Sequence, residues 1–210
     1  MPSIDHAKLK ANPQDENFSG KYNNQGRIAK YLVNNYFVSV SKLLDRLEDV
    51  HAAHEIGAGV GESTARLRAF LPFLTASEFV PDNVQKASIL NPRTKIFQES
   101  VYDLTYEDNS TDLVFLLEVL EHLDHPEVAL KELKRISKRY LILGVPREPI
   151  WRILNMCRFK YWGDLGNTPG HLNHWSKSSI IKLIERNFGK VIAVETPLPW
   201  TILLAEKEIY

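Results

Sequence analysis

The stretch His54-Glu55-Ile56-Gly57-Ala58-Gly59-Val60-Gly61-Glu62-Ser63 decides the fold. Its three glycines stand at alternate positions, between a short apolar strand and the start of a helix. Glycines at such a turn let the main chain approach a ligand closely. A dinucleotide-binding loop of the pattern Gly-x-Gly-x-x-Gly requires a glycine at position 62, where this chain has Glu62. A carboxylate there also repels a pyrophosphate, so the loop favours another kind of ligand.

Glu55 is the acid that ends the strand before this loop. A carboxylate at that position suits a ligand that carries a positively charged amine. Short motifs have limited specificity, and a helix-capping or solvated acid gives the same sequence. Both interpretations of Glu55 stay open at the level of sequence.

Strands and helices alternate on both sides of the loop. Apolar runs predict strands that end at Ile56 and near Glu78, and others over 95–98, 112–118 and 140–145. Helical patterns lie over 62–71, after Pro81 and from Pro126. Strands joined by single helices require right-handed crossovers and form a mostly parallel sheet that helices cover on both faces. The predicted fold class is therefore α/β.

Three further segments complete the predicted organisation. Apolar residues spaced by three and four predict an N-terminal helix over about 25–48, within a helical cap of residues 1–48. Residues 49–210 form the main domain, with a lid or substrate wall at 146–175 after the fifth strand, where the alternation is interrupted. Segments 191–196 and 200–206 predict an antiparallel hairpin at the sheet edge. The whole is expected to be one compact unit.

Composition argues against several functions. The 210 residues carry 26 Lys and Arg and 26 Asp and Glu, so there is no basic excess to neutralise nucleic-acid phosphates. The single cysteine, Cys157, excludes an internal disulfide. The N-terminus has no signal pattern, and the apolar stretches are far shorter than the roughly 20 residues of a membrane span. We therefore expect a cytoplasmic protein without a nucleic-acid partner or stable membrane insertion; the oligomeric state is not predicted.

The segment from Glu55 to Gly61 resembles the first motif of class I S-adenosylmethionine-dependent methyltransferases. The resemblance continues at matching intervals: Glu78 with residues 79–87, the turn at 103–114, and Glu118-Val119-Leu120-Glu121-His122-Leu123. This last sequence is similar to the small-molecule branch near the ubiquinone and menaquinone methyltransferases. Together the motifs span about residues 50–148. The resemblance implies a Rossmann-like fold and S-adenosylmethionine as cofactor.

The resemblance also implies roles for individual residues. The amides of 57–61 meet the methionyl carboxylate, Glu55 holds the amino group through water, and Glu78 accepts the ribose hydroxyls. Phe79 packs on adenine, although a core phenylalanine has the same sequence signature. Ser100 stands where relatives have an aspartate that binds the adenine amino group. The implied cofactor-binding residues are Glu55, Gly57, Ala58, Gly59, Gly61, Glu78, Phe79, Ser100, Val101 and Glu118.

Histidines are the candidate catalytic residues. Methyl transfer is an in-line displacement at an activated carbon, and a general base is needed only when the acceptor is a hydroxyl of high pKa. His171, in the lid, is the preferred substrate-contacting base. His122, after the fourth strand, is the second candidate, with packing against the loop as an equal alternative. His171 and His174 are spaced i and i+3, but no Cys, Asp or Glu lies close by in sequence, so no metal site is predicted.

The aromatic and basic residues of the lid have three interpretations: a pocket wall for an apolar or aromatic acceptor, an anion site, or a membrane-contacting surface. The leading functional hypothesis is methyl transfer to a small-molecule acceptor, at oxygen, with carbon and nitrogen as alternative acceptor atoms. The Asn/Asp-Pro-Pro-aromatic motif of nitrogen-specific methylases is missing after the fourth strand, where the chain reads Glu118-Val119-Leu120-Glu121. The alternatives are a nicotinamide-dependent oxidoreductase and a non-catalytic S-adenosylmethionine-binding protein, because the fold alone does not decide between them.

Overall fold

A single sheet organises the chain. The computed structural model describes Ile4, residues 9–11 and residues 26–208. Its strands are β1 Ala53–Ile56, β2 Leu74–Glu78, β3 Ile96–Gln98, β4 Thr111–Leu117, β5 Ser137–Pro146, β6 Gly189–Glu195 and β7 Trp200–Lys207. They lie in the order β3-β2-β1-β4-β5-β7-β6. Strands β1 to β5 are parallel, whereas β7 runs antiparallel to both β5 and β6.

Helices join and cover these strands. The α-helices of the described residues are α1 Arg27–Leu44, α2 Glu62–Leu67, α3 Pro81–Leu90, α4 Pro126–Ile136, α5 Ile150–Cys157 and α6 Lys177–Asn187. Short 3₁₀ turns span Leu120–His122 and Trp162–Asp164. Helix α4 begins with Pro126, whose fixed φ suits the first helical position. None of the helices in the described part of the chain combines the length and apolar character needed to cross a bilayer.

Strand β4 is buried on both faces, and its alternating side chains divide the core in two. Val114 and Leu116 pack in the cluster that includes side chains of α4 and α6. Leu113 and Phe115 pack in the opposite cluster, which includes Val40 of α1. The sheet is thus covered by helices on both faces and ends in an antiparallel hairpin. The predicted Rossmann-like α/β fold is confirmed.

Helix boundaries differ from the predicted ones where proline or short turns intervene. The helix predicted over 62–71 ends at Leu67, because residues 68–70 form a tight turn and Pro72 disfavours helical backbone before it. The helix predicted over 25–48 spans Arg27–Leu44. Most of residues 1–25 of the expected cap lie outside the described residues. Within the expected lid at 146–175, the chain forms α5 and the 3₁₀ turn at 162–164.

Candidate functional site

The loop between β1 and α2 needs its glycines. Gly57, Gly59 and Gly61 have φ of 78°, 54° and 89°, a region that side chains disfavour. A Cβ at Gly57 would lie 2.3 Å from a methyl carbon of Val119, and one at Gly61 would lie 2.4 Å from Asn91 Nδ2. Larger residues would therefore displace the loop from the carboxyl ends of β1 and β4. In parallel sheets, ligands bind outside these strand ends.

Several loop amides donate to protein acceptors. Gly57 N and Ala58 N donate to one carbonyl at the end of β2, at 2.9 and 3.0 Å, and Gly59 N donates to Glu78 Oε2 at 2.8 Å. The resemblance implied that the amides of 57–61 meet a methionyl carboxylate. The structure corrects this expectation for these three amides, because their hydrogen bonds are used within the protein.

Glu55 is buried directly below the loop, with 1% of its surface exposed. Its Oε2 accepts a hydrogen bond from Thr64 Oγ1 at 2.5 Å. Its Oε1 is also buried and has no hydrogen-bond partner among the described residues. Burial raises the pKa of Glu55 to about 7; the nearby hydroxyls of Ser63 and Thr64 oppose this rise, and the charge of Glu78 adds to it. A buried acceptor without a donor fits a ligand ammonium group, and the solvated interpretation is wrong.

Glu78 ends β2, the strand next to β1, and is buried as well. Its Oε2 accepts from Gly59 N at 2.8 Å and its Oε1 accepts from Val80 N at 2.9 Å. Each carboxylate oxygen has two lone pairs, so each one can accept a further hydrogen bond from a ligand hydroxyl. The alternative of an exposed strand-end acid is wrong, because Glu78 joins the loop to the start of α3.

The other predicted cofactor residues follow neighbouring strands. Phe79 is 43% exposed, so it is not a core residue, and one of its ring faces can contact a ligand. After β3, Ser100 Oγ accepts from Tyr102 N at 3.3 Å, and Val101 is buried. After β4, Glu118 has a φ of 59° and its Oε2 accepts from Trp200 Nε1 at 2.8 Å. Glu118 thus connects β4 to the C-terminal hairpin.

His122 and His171 lie together at the same edge of the sheet. Their ring centroids are 4.9 Å apart and nearly perpendicular. The buried carboxylate of Glu121 stands beside them, and ligand atoms of the three side chains lie within 4.8 Å of one another. The sequence did not predict this group, because folding brings the lid to a turn that is distant in sequence. His174 instead contacts Arg152 at 3.1 Å and Asn167 at 2.7 Å.

Hydrogen bonds fix the two ends of the lid. Arg147 N donates to Pro199 O, just before β7, at 2.9 Å, and Glu148 N donates to Trp175 O at 3.0 Å, which joins the two ends of the lid to each other. Inside the lid, the ring of Trp151 stacks on His171 and also lies 5.9 Å from the ring of Trp200. Aromatic rings thus stand beside the histidine pair.

Comparisons with known proteins agree with this arrangement. Residues 54–142 match a family described as a methyltransferase domain. Magnesium protoporphyrin IX methyltransferase from Synechocystis PCC 6803, solved with bound S-adenosylhomocysteine, has a TM-score of 0.67 at 18% identity over 88% of this chain and 89% of that one. An S-adenosylmethionine-dependent methyltransferase from Aquifex aeolicus has a TM-score of 0.65 at 17% identity over 82% and 89%. No curated protein sequence matches the chain.

A different reaction also occurs on this fold. The [4+2]-cyclase SpnF has a TM-score of 0.68 at 14% identity over 91% of this chain and 88% of its own. At such identities the likeness shows the fold alone, and the family match ends within β5, before the lid. The match confirms the predicted methyltransferase class and does not identify the ubiquinone branch. The family match runs from β1 into β5, and this part of the chain is similar to a methyltransferase domain.

Proposed function

We propose that the chain binds S-adenosylmethionine and transfers its methyl group to an oxygen of a small-molecule acceptor. The observation that most supports this proposal is the pair of buried carboxylates, Glu55 and Glu78, at the ends of adjacent strands beside a glycine loop. Bound S-adenosylmethionine supplies a methyl group activated by its sulfonium. In this proposal residues 49–210 are the catalytic domain, and 1–48 a helical cap.

The part of the site proposed to bind the cofactor, which we call the cofactor end, has a protein group suited to each part of S-adenosylmethionine. The Oε1 atom of Glu55 accepts from the ligand ammonium, and the oxygens of Glu78 accept from the two ribose hydroxyls. Phe79 supplies a ring face for the adenine, with Ser100 and Val101 at its edge. A serine hydroxyl accepts the adenine amino group more weakly than the aspartate of relatives, so we expect Glu78 to contribute more to affinity than Ser100 does.

The acceptor end is formed by the turn after β4 and the lid. His171 and His122 stand there with an imidazole each, and a general base matters most when the acceptor is a hydroxyl. The stacked Trp151 and the nearby Trp200 supply apolar walls. This combination supports a hydroxyl-bearing acceptor with an apolar or aromatic body, bound between the lid and the hairpin.

Calorimetric titration with S-adenosylhomocysteine, NAD and NADP tests the proposal. We expect micromolar binding of S-adenosylhomocysteine only, weakened at least about tenfold in Glu78→Ala because two charge-assisted bonds are lost. Glu107→Ala, which removes an exposed acid outside the site, is the matched control and is expected to bind as wild type. Binding of a dinucleotide instead would overturn the methyltransferase proposal, and so would equal binding by wild type and Glu78→Ala.

A further inference from the structure

A group of one carboxylate and two imidazoles lies where the lid meets the sheet. We propose that Glu121, His122 and His171 bind a divalent transition-metal ion. Their ligand atoms lie within 4.8 Å of one another, and His122 Nε2 is 3.9 Å from Glu121 Oε1. Ligand atoms held about 2.1 Å from one ion are about 3 to 3.5 Å apart, so small side-chain rotations close the group around an ion.

Hydrogen bonds orient the first histidine for this role. His122 Nδ1 lies 3.0 Å from the carbonyl oxygen of Gly170, so Nδ1 carries the proton and donates it. When the ring is neutral, this tautomer leaves the lone pair on Nε2, the nitrogen that faces Glu121. Metal-bound histidines commonly donate their second ring nitrogen to a backbone carbonyl in this way, which fixes the tautomer and the ring orientation.

Hydrogen bonds also fix the lid histidine relative to the turn. The Glu121 carbonyl accepts from Leu172 N at 2.9 Å and from Asn173 N at 3.0 Å, directly after His171. Asn173 Nδ2 donates to Leu123 O at 2.7 Å, which adds a third connection. The residue His171 is 6% exposed, and its ring stacks on that of Trp151. The two elements that supply the ligands are therefore held together by the backbone before any ion binds.

The charge of the group also favours a cation. Glu121 is 1% exposed, and a cation bound beside it would offset part of the cost of burying its charge. Two imidazoles and a carboxylate suit borderline ions such as Co²⁺, Ni²⁺ or Zn²⁺ better than Mg²⁺, which prefers oxygen ligands. Three protein ligands leave at least one coordination position open, the arrangement found in catalytic rather than structural sites.

The function of this ion rests on the proposed function and replaces one part of it: with His122 and His171 as metal ligands, the ion activates the hydroxyl in place of a histidine base. An ion with an open position beside the acceptor pocket lowers the pKa of a coordinated hydroxyl. The hydroxyl proton leaves to solvent, the oxygen lone pair forms the new carbon–oxygen bond, and the carbon–sulfur bond breaks with its electron pair remaining on sulfur. The inferred acceptor class is accordingly a small molecule that coordinates the ion through the hydroxyl that is methylated.

Titration of the untagged, chelator-treated chain with CoCl₂ tests the site, followed by visible absorption and calorimetry. We expect one saturable equivalent, with affinity at least about tenfold lower in His171→Ala and in Glu121→Gln. The exposed His125, three residues from His122, provides the matched control, and His125→Ala is expected to bind Co²⁺ as wild type does. His122→Asn is a third variant, at a position that is less buried than the other two ligands. Circular dichroism identifies which variants are folded.

The outcomes separate this inference from the proposed function. No saturable Co²⁺ binding, or equal binding by wild type and all folded variants, would overturn the metal site and assign the three side chains to a hydrogen-bonded link between lid and sheet. Stronger competition by Mg²⁺ than by Zn²⁺ would contradict the inferred ion class. If the chain binds S-adenosylhomocysteine but not Co²⁺, only the metal-site inference is refuted. If it binds Co²⁺ but not S-adenosylhomocysteine, only the proposed cofactor function is refuted.

Discussion

Glu55 is the residue whose proton links stability to pH most directly. Burial raises its pKa from 4.5 to about 7, so the native state binds the proton more tightly than the unfolded chain does. The stabilisation is complete below pH 4.5 and is lost as the pH rises through 7. We expect the free energy of unfolding to decrease by about 3 kcal/mol more between about pH 5 and about pH 8 in wild type than in Glu55→Gln, measured by urea unfolding. Equal pH dependence in the two proteins would contradict the prediction.

The same carboxyl group has the opposite effect on ligand affinity if it binds an ammonium. The ionised form of Glu55 is the one that pairs with a cation, so affinity for S-adenosylhomocysteine is expected to rise as the pH increases towards 7. Glu55→Gln cannot ionise and is expected to show a flatter profile. Calorimetry at several pH values measures this contrast, and a wild-type affinity that falls over this range would exclude Glu55 as the ammonium ligand.

Gly57 is the residue where added volume should be most harmful to the loop. Gly57→Ala introduces a Cβ 2.3 Å from Val119 Cγ2 and places alanine at a φ of 78°. We expect a loss of about 2 to 4 kcal/mol in stability, because steric overlap and backbone strain add. Gly163→Ala is the control, since a Cβ there meets nothing within 4 Å. Thermal unfolding of the two variants distinguishes them, and a Gly57→Ala protein as stable as Gly163→Ala would show that the loop adapts freely.

At the scale of elements, α6 depends on the side chain that precedes it. Ser176 Oγ accepts from Ser179 N at 3.2 Å, and Ile180 and Ile184 of the helix are fully buried. Ser176→Ala is expected to lower stability by about 1 kcal/mol, because one amide at the helix start loses its acceptor. Ser176→Asp, another good cap, should restore it. Urea unfolding measures both, and binding of S-adenosylhomocysteine should change in neither, since α6 does not contribute to the loop.

The elements were predictable because their signals are local. The apolar run of β4 and the proline at the start of α4 each specify a structure through neighbouring residues, and the structure has both. The placement of the proposed cofactor residues at one edge of the sheet was predictable for the same reason. These residues follow the strands β1, β2 and β3, and parallel strands place their carboxyl ends at one edge.

The group around Glu121 could not be predicted in this way. His171 belongs to the lid, and its position beside His122 results from tertiary contacts such as the bonds from Leu172 N and Asn173 N to the Glu121 carbonyl. No periodicity or spacing in the sequence encodes these contacts. A search for acids near His171 in sequence therefore finds none, although folding supplies one from the turn after β4.

At the scale of the whole molecule, the region proposed to bind the acceptor joins three parts of the chain. The ring of Trp200 in the hairpin contacts that of Tyr36 in α1 at 5.1 Å and that of Trp151 in the lid at 5.9 Å. Its indole nitrogen bonds to Glu118 after β4. Helix α1, the lid and the sheet thus share one aromatic contact region, and the N-terminal helix is packed into the fold rather than appended to it.

This shared packing predicts that the chain unfolds as one unit. The four tryptophans lie in the lid, at its end or in the hairpin, so their fluorescence reports that region, whereas far-ultraviolet circular dichroism reports all elements. Leu43→Ala, in the fully buried face of α1, is expected to cost about 2 to 5 kcal/mol and to shift both signals equally. A lower midpoint for circular dichroism with unchanged fluorescence would mean that α1 unfolds separately, and residues 1–48 would then be an independent cap rather than part of one compact unit.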